Sequence, residues 1–335
     1  MKKFILLCPL LLAIIISGCV NPEPKFTPLE FDYIYSFSEG LAAAEKNGKW
    51  GFIDKTGEIA IDCVYDSAVS FSEGLAAVRK ANKWGFINKT GEVVIECVFE
   101  DAVSFSDGLA QIMKNNKYGF IDMTGEIVID CIYDESYWNY SFSEGLASVQ
   151  KDGMWGFIDK TGETVFPFIY EEAGSFQEGL AKVYKDGKWG FINKTKLVIP
   201  HIYNRADSFS EGVALIPKSD WFEYIDDKTG ATVISCGYNF ADSFHEGLAR
   251  VRDDEKWGFI DKSGMLVIAC LYDWAGHFSD GFALVQKDYK WGYLDKSGRI
   301  AAPFIYEDAN DFSEGLAIVR KDGKWGILEI KQGKS

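Results

Sequence analysis

The stretch FSEGLAAVRKANKWGFINKTGEVVIECVF, residues 71–99, decides the fold. Leu75 to Lys80 reads as a short strand, Ala81-Asn82 as a turn, Lys83 to Asn88 as a second strand, Lys89-Thr90-Gly91 as another turn, and Glu92 to Phe99 as a third strand. With two residues in the first turn, counting across the hairpin puts Ala76, Val78, Gly85 and Ile87 on one thin apolar face, and Trp84 opposite Arg79 on the other. A hairpin apolar on both faces cannot bury itself alone. It needs copies of itself stacked on either side.

The copies are there. The glycine of the Ser-Glu-Gly-Leu-Ala type segment recurs as Gly40, Gly74, Gly108, Gly145, Gly179, Gly212, Gly247, Gly281 and Gly315, at steps of 34, 34, 37, 34, 33, 35, 34 and 34. Ten residues after each stands an aromatic: Trp50, Trp84, Tyr118, Trp155, Trp189, Phe222, Trp257, Trp291 and Trp325. Asn47-Gly48, Asp152-Gly153, Asp186-Gly187 and Asp322-Gly323 offer the positive-φ pair of a tight hairpin. The Gly after each Trp removes a Cβ where another backbone or ring must come close. Lys196 stands where the second turn of copy five should have Gly, and a distorted turn is expected there.

The Lys-Trp-Gly-Phe-Ile-Asp-Lys-Thr-Gly segments, at Lys49 to Gly57, Lys188 to Thr195, Lys256 to Gly264 and Lys290 to Gly298, resemble the WG (KWG) repeats of bacterial proteins over roughly residues 28 to 329. Copy six departs from the pattern, with Phe222-Glu223 for Trp-Gly and Trp221 displaced by one. The resemblance implies an all-β tandem array that serves as a noncatalytic interaction scaffold, with no catalytic residues to carry over. About three strands per ~34-residue copy favour an open, curved solenoid, because propeller blades carry four strands. A closed propeller-like ring is the alternative, since Pro28-Leu29-Glu30-Phe31-Asp32 is in phase with Pro303-Phe304-Ile305-Tyr306-Glu307 and supplies at the start what the last copy lacks.

Upstream, Met1-Lys2-Lys3 is basic and Phe4 to Ile16 is apolar, the layout of a secretory signal too short to span a bilayer. Ile16-Ser17-Gly18-Cys19 resembles the bacterial lipobox, which implies removal of residues 1–18, a diacylglycerol thioether on Cys19, and an extracytoplasmic protein held to a membrane of the cell envelope. Residues 19–27 read as a lipidated tether, 28–329 as the nine-copy array and 330–335 as a tail.

With 35 Lys plus Arg against 50 Asp plus Glu, the net charge of -15 disfavours nucleic acid as a partner. Cys63, Cys97, Cys131, Cys236 and Cys270 share one repeat slot that elsewhere holds Phe168, His201 or Phe304, so they read as buried unpaired thiols rather than a metal site. An acid precedes every repeat glycine, from Glu39 to Glu314. It is expected to face a Lys from the row before Trp, such as Lys83 or Lys188, in preference to calcium. The three His occupy different slots, phosphate loops are absent, and no pair of carboxylates stands out, so neither an enzyme nor a cofactor is expected. Two binding readings remain. One is a protein partner at the envelope; the other is an envelope glycan met by Tyr137, Trp138, Tyr140 and Trp274, the repeat aromatics being consumed by packing.

Overall fold

The structure is a computed structural model, and it describes residues 24–134 and 141–330. Every repeat is an antiparallel sheet, built up strand by strand from its turns. In blade 1, Leu41–Lys46 pairs with Lys49–Asp54 across Asn47-Gly48, whose φ values of 52° and 72° make the two-residue turn. The pairing puts Ala42 opposite Ile53 and Ala44 opposite Gly51, as counted from the sequence. At the second turn the Asp54 carboxylate accepts the Thr56 hydroxyl at 2.7 Å and the Thr56 and Glu58 amides, while Gly57 takes φ 89°. The outer strand Ile59–Tyr65 then runs back along Lys49–Asp54. In blade 5 this turn is a residue shorter: Lys196, not Gly, closes onto the Asn193 amide and carboxamide, and no positive φ is needed.

Eight blades also have a fourth strand that sequence reading did not find, two residues long in most copies, such as Tyr33–Ile34 pairing with Glu45 and Ala44. Two residues leave no periodic signal. Eight sheets have four strands, and blade 4 has three among the described residues. The short strands and the loops after them form the narrow end of each wedge, where neighbouring blades meet, and the Ile59–Tyr65 type strands form the open outer edge.

The cores lie between blades. Phe52, Ile61 and Tyr65 of blade 1 pack with Phe71, Val78 and Ile87 of blade 2. The Phe after Trp-Gly meets the Phe before Ser-Glu-Gly of the following blade, with ring centroids 4.7 Å apart for Phe52 and Phe71 and 4.9 Å for Phe86 and Phe105. Around the junction of the chain ends, Ile34, Phe37 and Ile53 of blade 1 share a core with Ile318, Trp325 and Ile327 of blade 9.

The array is therefore closed, and the open solenoid is corrected to a nine-bladed β-propeller ring. Lys25–Pro28 pairs antiparallel with Lys324–Glu329 as the outer strand of blade 9, so the two ends of the chain share one sheet. Residues 25–27, assigned above to the tether, thus belong to the ring. The three-strand estimate misled because the inner strand has only two residues in most blades, six being reached in blades 7 and 8; the fourth strand fits into a 34-residue repeat at almost no cost in length. Cys19 lies outside the described residues, as do Tyr137, Trp138 and Tyr140.

Candidate functional site: channel wall and outer rim

Two features of the ring offer themselves to ligands, and both follow from the repeat. The first is the central channel. A recess of about 530 Å³ is bounded by Ser143, Gln177, Ser208 and Ser243, from blades 4 to 7, and another of about 440 Å³ by Trp274, Asp311, Tyr35 and Ser70, from blades 8, 9, 1 and 2. Recesses that touch four consecutive blades can lie only around the axis.

Two circuits of hydrogen bonds hold this inner wall. The Ser38 hydroxyl donates to the Phe71 carbonyl of the following blade at 2.7 Å, and the bond recurs in seven blades, ending with Ser313, which donates to Phe37 across the junction; Gln177 and His245 stand in the Ser position of blades 5 and 7. Beside it, the acid before each repeat glycine accepts that glycine's N–H in the next blade. Glu39 takes Gly74, Glu73 takes Gly108, and so on to Glu314, which takes Gly40, all nine at 2.7 to 3.1 Å. These acids have φ between 51° and 56°, a left-handed conformation that costs ~1 kcal/mol or more and that the charge-assisted bond offsets.

Their lysine partners are not those expected. Lys55, Lys89, Lys194, Lys262 and Lys296, each from the second turn of the following blade, pair with Glu314, Glu39, Glu144, Glu211 and Glu246. The row before Trp pairs elsewhere: Lys49 with Asp66, Lys117 with Asp134 and Lys188 with Asn204. Burial works to raise the Glu39 and Glu314 carboxyls, but the lysines and the glycine amides hold both below the usual range.

The wall is not uniform. The residue before the inner Phe is Ser in blades 1 to 7, but His277 in blade 8 and Asp311 in blade 9. His245 takes the place of a hydrogen-bonding Ser in blade 7, and its ring lies 4.0 Å from that of His277. Arg250 donates to Asp242 from Nε at 2.8 Å and to the Ala275 carbonyl at 2.6 Å, with Trp257 and Trp274 on its flanks at 5.1 and 5.7 Å. Burial, then Arg250 and His245, push His277 down to about 4 against the pull of Asp242, so it is neutral near pH 7. Burial raises Asp311 above the usual carboxylate range, with Arg250 and His245 opposing. Among the described residues, no group of His, Cys, Asp or Glu is arranged to hold a metal ion.

Sequence reading missed Arg250 and its counterpart Lys182, which reaches the Ala206 carbonyl from the same slot of blade 5 and lies 5.0 Å from Trp189. That slot is Ala43 in blade 1 and Ala77 in blade 2, so the exchange for a long cation was a visible signal. The Arg79 expected opposite Trp84 lies over its ring at 5.8 Å, and Arg252 lies in the same way over Trp257 at 5.6 Å.

The repeat aromatics Tyr118, Trp155 and Trp325 are buried, and Trp50, Trp84, Trp189, Phe222, Trp257 and Trp291 are half-buried. Trp274 is half-buried in the channel recess and edge-on to Trp291. All five described cysteines are free thiols. The one-slot reading is corrected for Cys236, which pairs opposite Phe222 where Tyr65 faces Trp50 in blade 1; burial pushes it up to about 11.

The second feature is the outer rim. Val64, Val98, Ile132, Ile169, Ile202, Leu271 and Ile305 share one position on the outer strands of seven blades and are 39 to 60 % exposed. These strands are sheet edges with no further neighbour.

A closed ring of four-stranded wedges defines a β-propeller repeat protein. The chain belongs to the WG-containing repeat family, whose pattern matches in nine consecutive segments from 26–50 to 291–325, with a gap between 218 and 224 in the irregular blade 6. No curated protein matches it in sequence. Among solved structures, it is similar to a eukaryotic initiation factor at 12% identity, covering 91% of this chain and 92% of that one, with a TM-score of 0.57. It is also similar to BamB from Moraxella catarrhalis (13% identity, 93% and 100% covered, TM-score 0.46) and to Citrobacter koseri AztD (13% identity, 90% and 98% covered, TM-score 0.47).

Proposed function

We propose that the chain is a noncatalytic scaffold, anchored through lipid on Cys19 and exposed at the bacterial cell envelope, that binds another protein through its outer rim. The row of exposed aliphatics on unpaired sheet edges carries this reading. Apolar side chains beside free backbone groups are what a protein partner can cover, and soluble proteins otherwise shield such edges. The channel wall supports it indirectly, because the repeat acids and hydroxyls are spent on holding blades together. The glycan reading draws less support: Trp274 has Arg250 against its ring and Trp291 at its side, which leaves little open indole for a sugar.

The experiment is photo-crosslinking in intact cells, with p-benzoylphenylalanine at Val98 or Ile202 on the rim and at Tyr289, an exposed hairpin residue, as the control. Capture of a discrete protein at rim positions but not at 289 is expected, together with palmitate incorporation that disappears in Cys19→Ala. Absence of capture at both rim positions would end the rim reading, and a Cys19→Ala protein that still sediments with membranes would end the anchor.

A further inference from the structure

The rim is not the same all the way round. In blades 4, 5 and 8 the outer strand carries a proline, Pro167, Pro200 or Pro303, two residues before the exposed aliphatic. Blade 9 is finished by the N-terminal strand. Blades 1, 2 and 3 have an exposed acid in the proline slot: Asp62, Glu96 and Asp130. A slot that accepts proline has an N–H that the ladder does not use, so in these three blades that N–H is intact and available at the edge. No outer strand of blades 1 to 8 contains Lys or Arg, so the acid is what sets Ile59–Tyr65, Val93–Phe99 and Ile127–Tyr133 apart. Proline is a common guard of edge strands; the outer strands of blades 6 and 7 lack it as well, with Ala269 in the slot of blade 7, but blades 1 to 3 are those that lack it and offer negative charge instead.

We propose that the edges of blades 1 to 3 accept an extended basic segment of a partner protein as an added strand. The alternation of a strand then defines the partner. Asp62 and Val64 lie in the bulge of the outer strand and are both exposed, as are Glu96 with Val98 and Asp130 with Ile132, so the added strand carries a Lys or Arg and an aliphatic two residues apart on one face, with the backbone pairing to the edge. The cation answers the carboxylate and the aliphatic covers Val64, Val98 or Ile132. This inference rests on the rim reading and narrows it to one sector and one chemistry.

The test uses the full chain and a fluorescent hexapeptide, Lys-Thr-Val-Thr-Lys-Thr, followed by anisotropy. Saturable binding that weakens with salt is expected. The same peptide N-methylated at alternate amides keeps its charge and loses its edge donors, and it should bind at least tenfold more weakly. The triple variant Asp62→Pro, Glu96→Pro, Asp130→Pro copies blades 4, 5 and 8, and it should also lose tenfold or more while keeping its melting temperature. The triple variant Asp62→Asn, Glu96→Gln, Asp130→Asn should weaken binding and flatten its salt dependence. No binding of the hexapeptide, equal binding of the N-methylated peptide, or binding indifferent to the three prolines would overturn the inference. Crosslinks from Ile169 as strong as those from Val98 would overturn it too while leaving the rim reading standing, whereas no crosslinks from either position removes both.

Discussion

Gly258 shows why Trp is followed by Gly. The outer strand bulges over the third strand at this point, and a Cβ on Gly258 would sit 2.5 Å from the Ile268 carbonyl oxygen and 2.8 Å from the Cys270 amide nitrogen, both backbone atoms that cannot step aside. Gly119 meets Ile129 and Cys131 in the same way. Gly258→Ala is expected to cost about 1 to 3 kcal/mol, in line with overpacking elsewhere, read as a lower urea midpoint. Blade 6 shows the alternative. With Glu223 in this position, the strand Thr232–Cys236 has five residues instead of seven, and Phe222, Glu223 and Tyr224 pair in unbroken register with Cys236, Ser235 and Ile234. Glu223→Gly should therefore relieve nothing, and the same urea measurement should show no gain. The need for close approach at Trp-Gly was legible in the sequence. That it is an outer-strand bulge was not, because the two residues that make the bulge look like ordinary strand.

At the scale of the element, the hairpin turns divide into those with Gly and those without. Asp288-Tyr289 adopts φ values of 51° and 62°, and Tyr289 is 90% exposed, so its ring gains nothing for the strain of its backbone. Tyr289→Gly is expected to stabilise the protein by about 1 kcal/mol, measured by denaturant or thermal unfolding. Register across these hairpins was readable from turn length alone, and Ala42 opposite Ile53 follows from it. The inner strands were hidden for the opposite reason. A strand such as Ser67–Ala68 has no alternation to show, and only the loops that bond blade to blade reveal where it lies.

At the scale of the molecule, nine similar interfaces make one ring, and one of them is joined by chain ends. Deleting Lys25–Pro28 is expected to cost about 2 kcal/mol or more, because the half-buried Phe26 contributes on the order of 1 kcal/mol of burial and the edge of Lys324–Glu329 is left unpaired. Small-angle scattering should then show a larger radius of gyration, and an unchanged compact toroidal profile would refute the role given to this strand. Ring closure was legible in part: the phase match of Pro28 to Asp32 with the end of a repeat announced it, but the pairing itself begins earlier, at Lys25. The channel cluster of His245, His277, Arg250 and Asp311 was not legible, because its members come from three blades, with only His277 and Asp311 at a shared repeat position, and only curvature brings them together.

The clasp formed by Lys25–Pro28 has a mechanical meaning as well. Tension applied to the chain ahead of residue 24 is delivered first to this one short strand, not to the covalently continuous blades behind it. The ring thus has a built-in weakest link, and a steady pull on its leading end would unfasten blade 9 before any other blade felt the load.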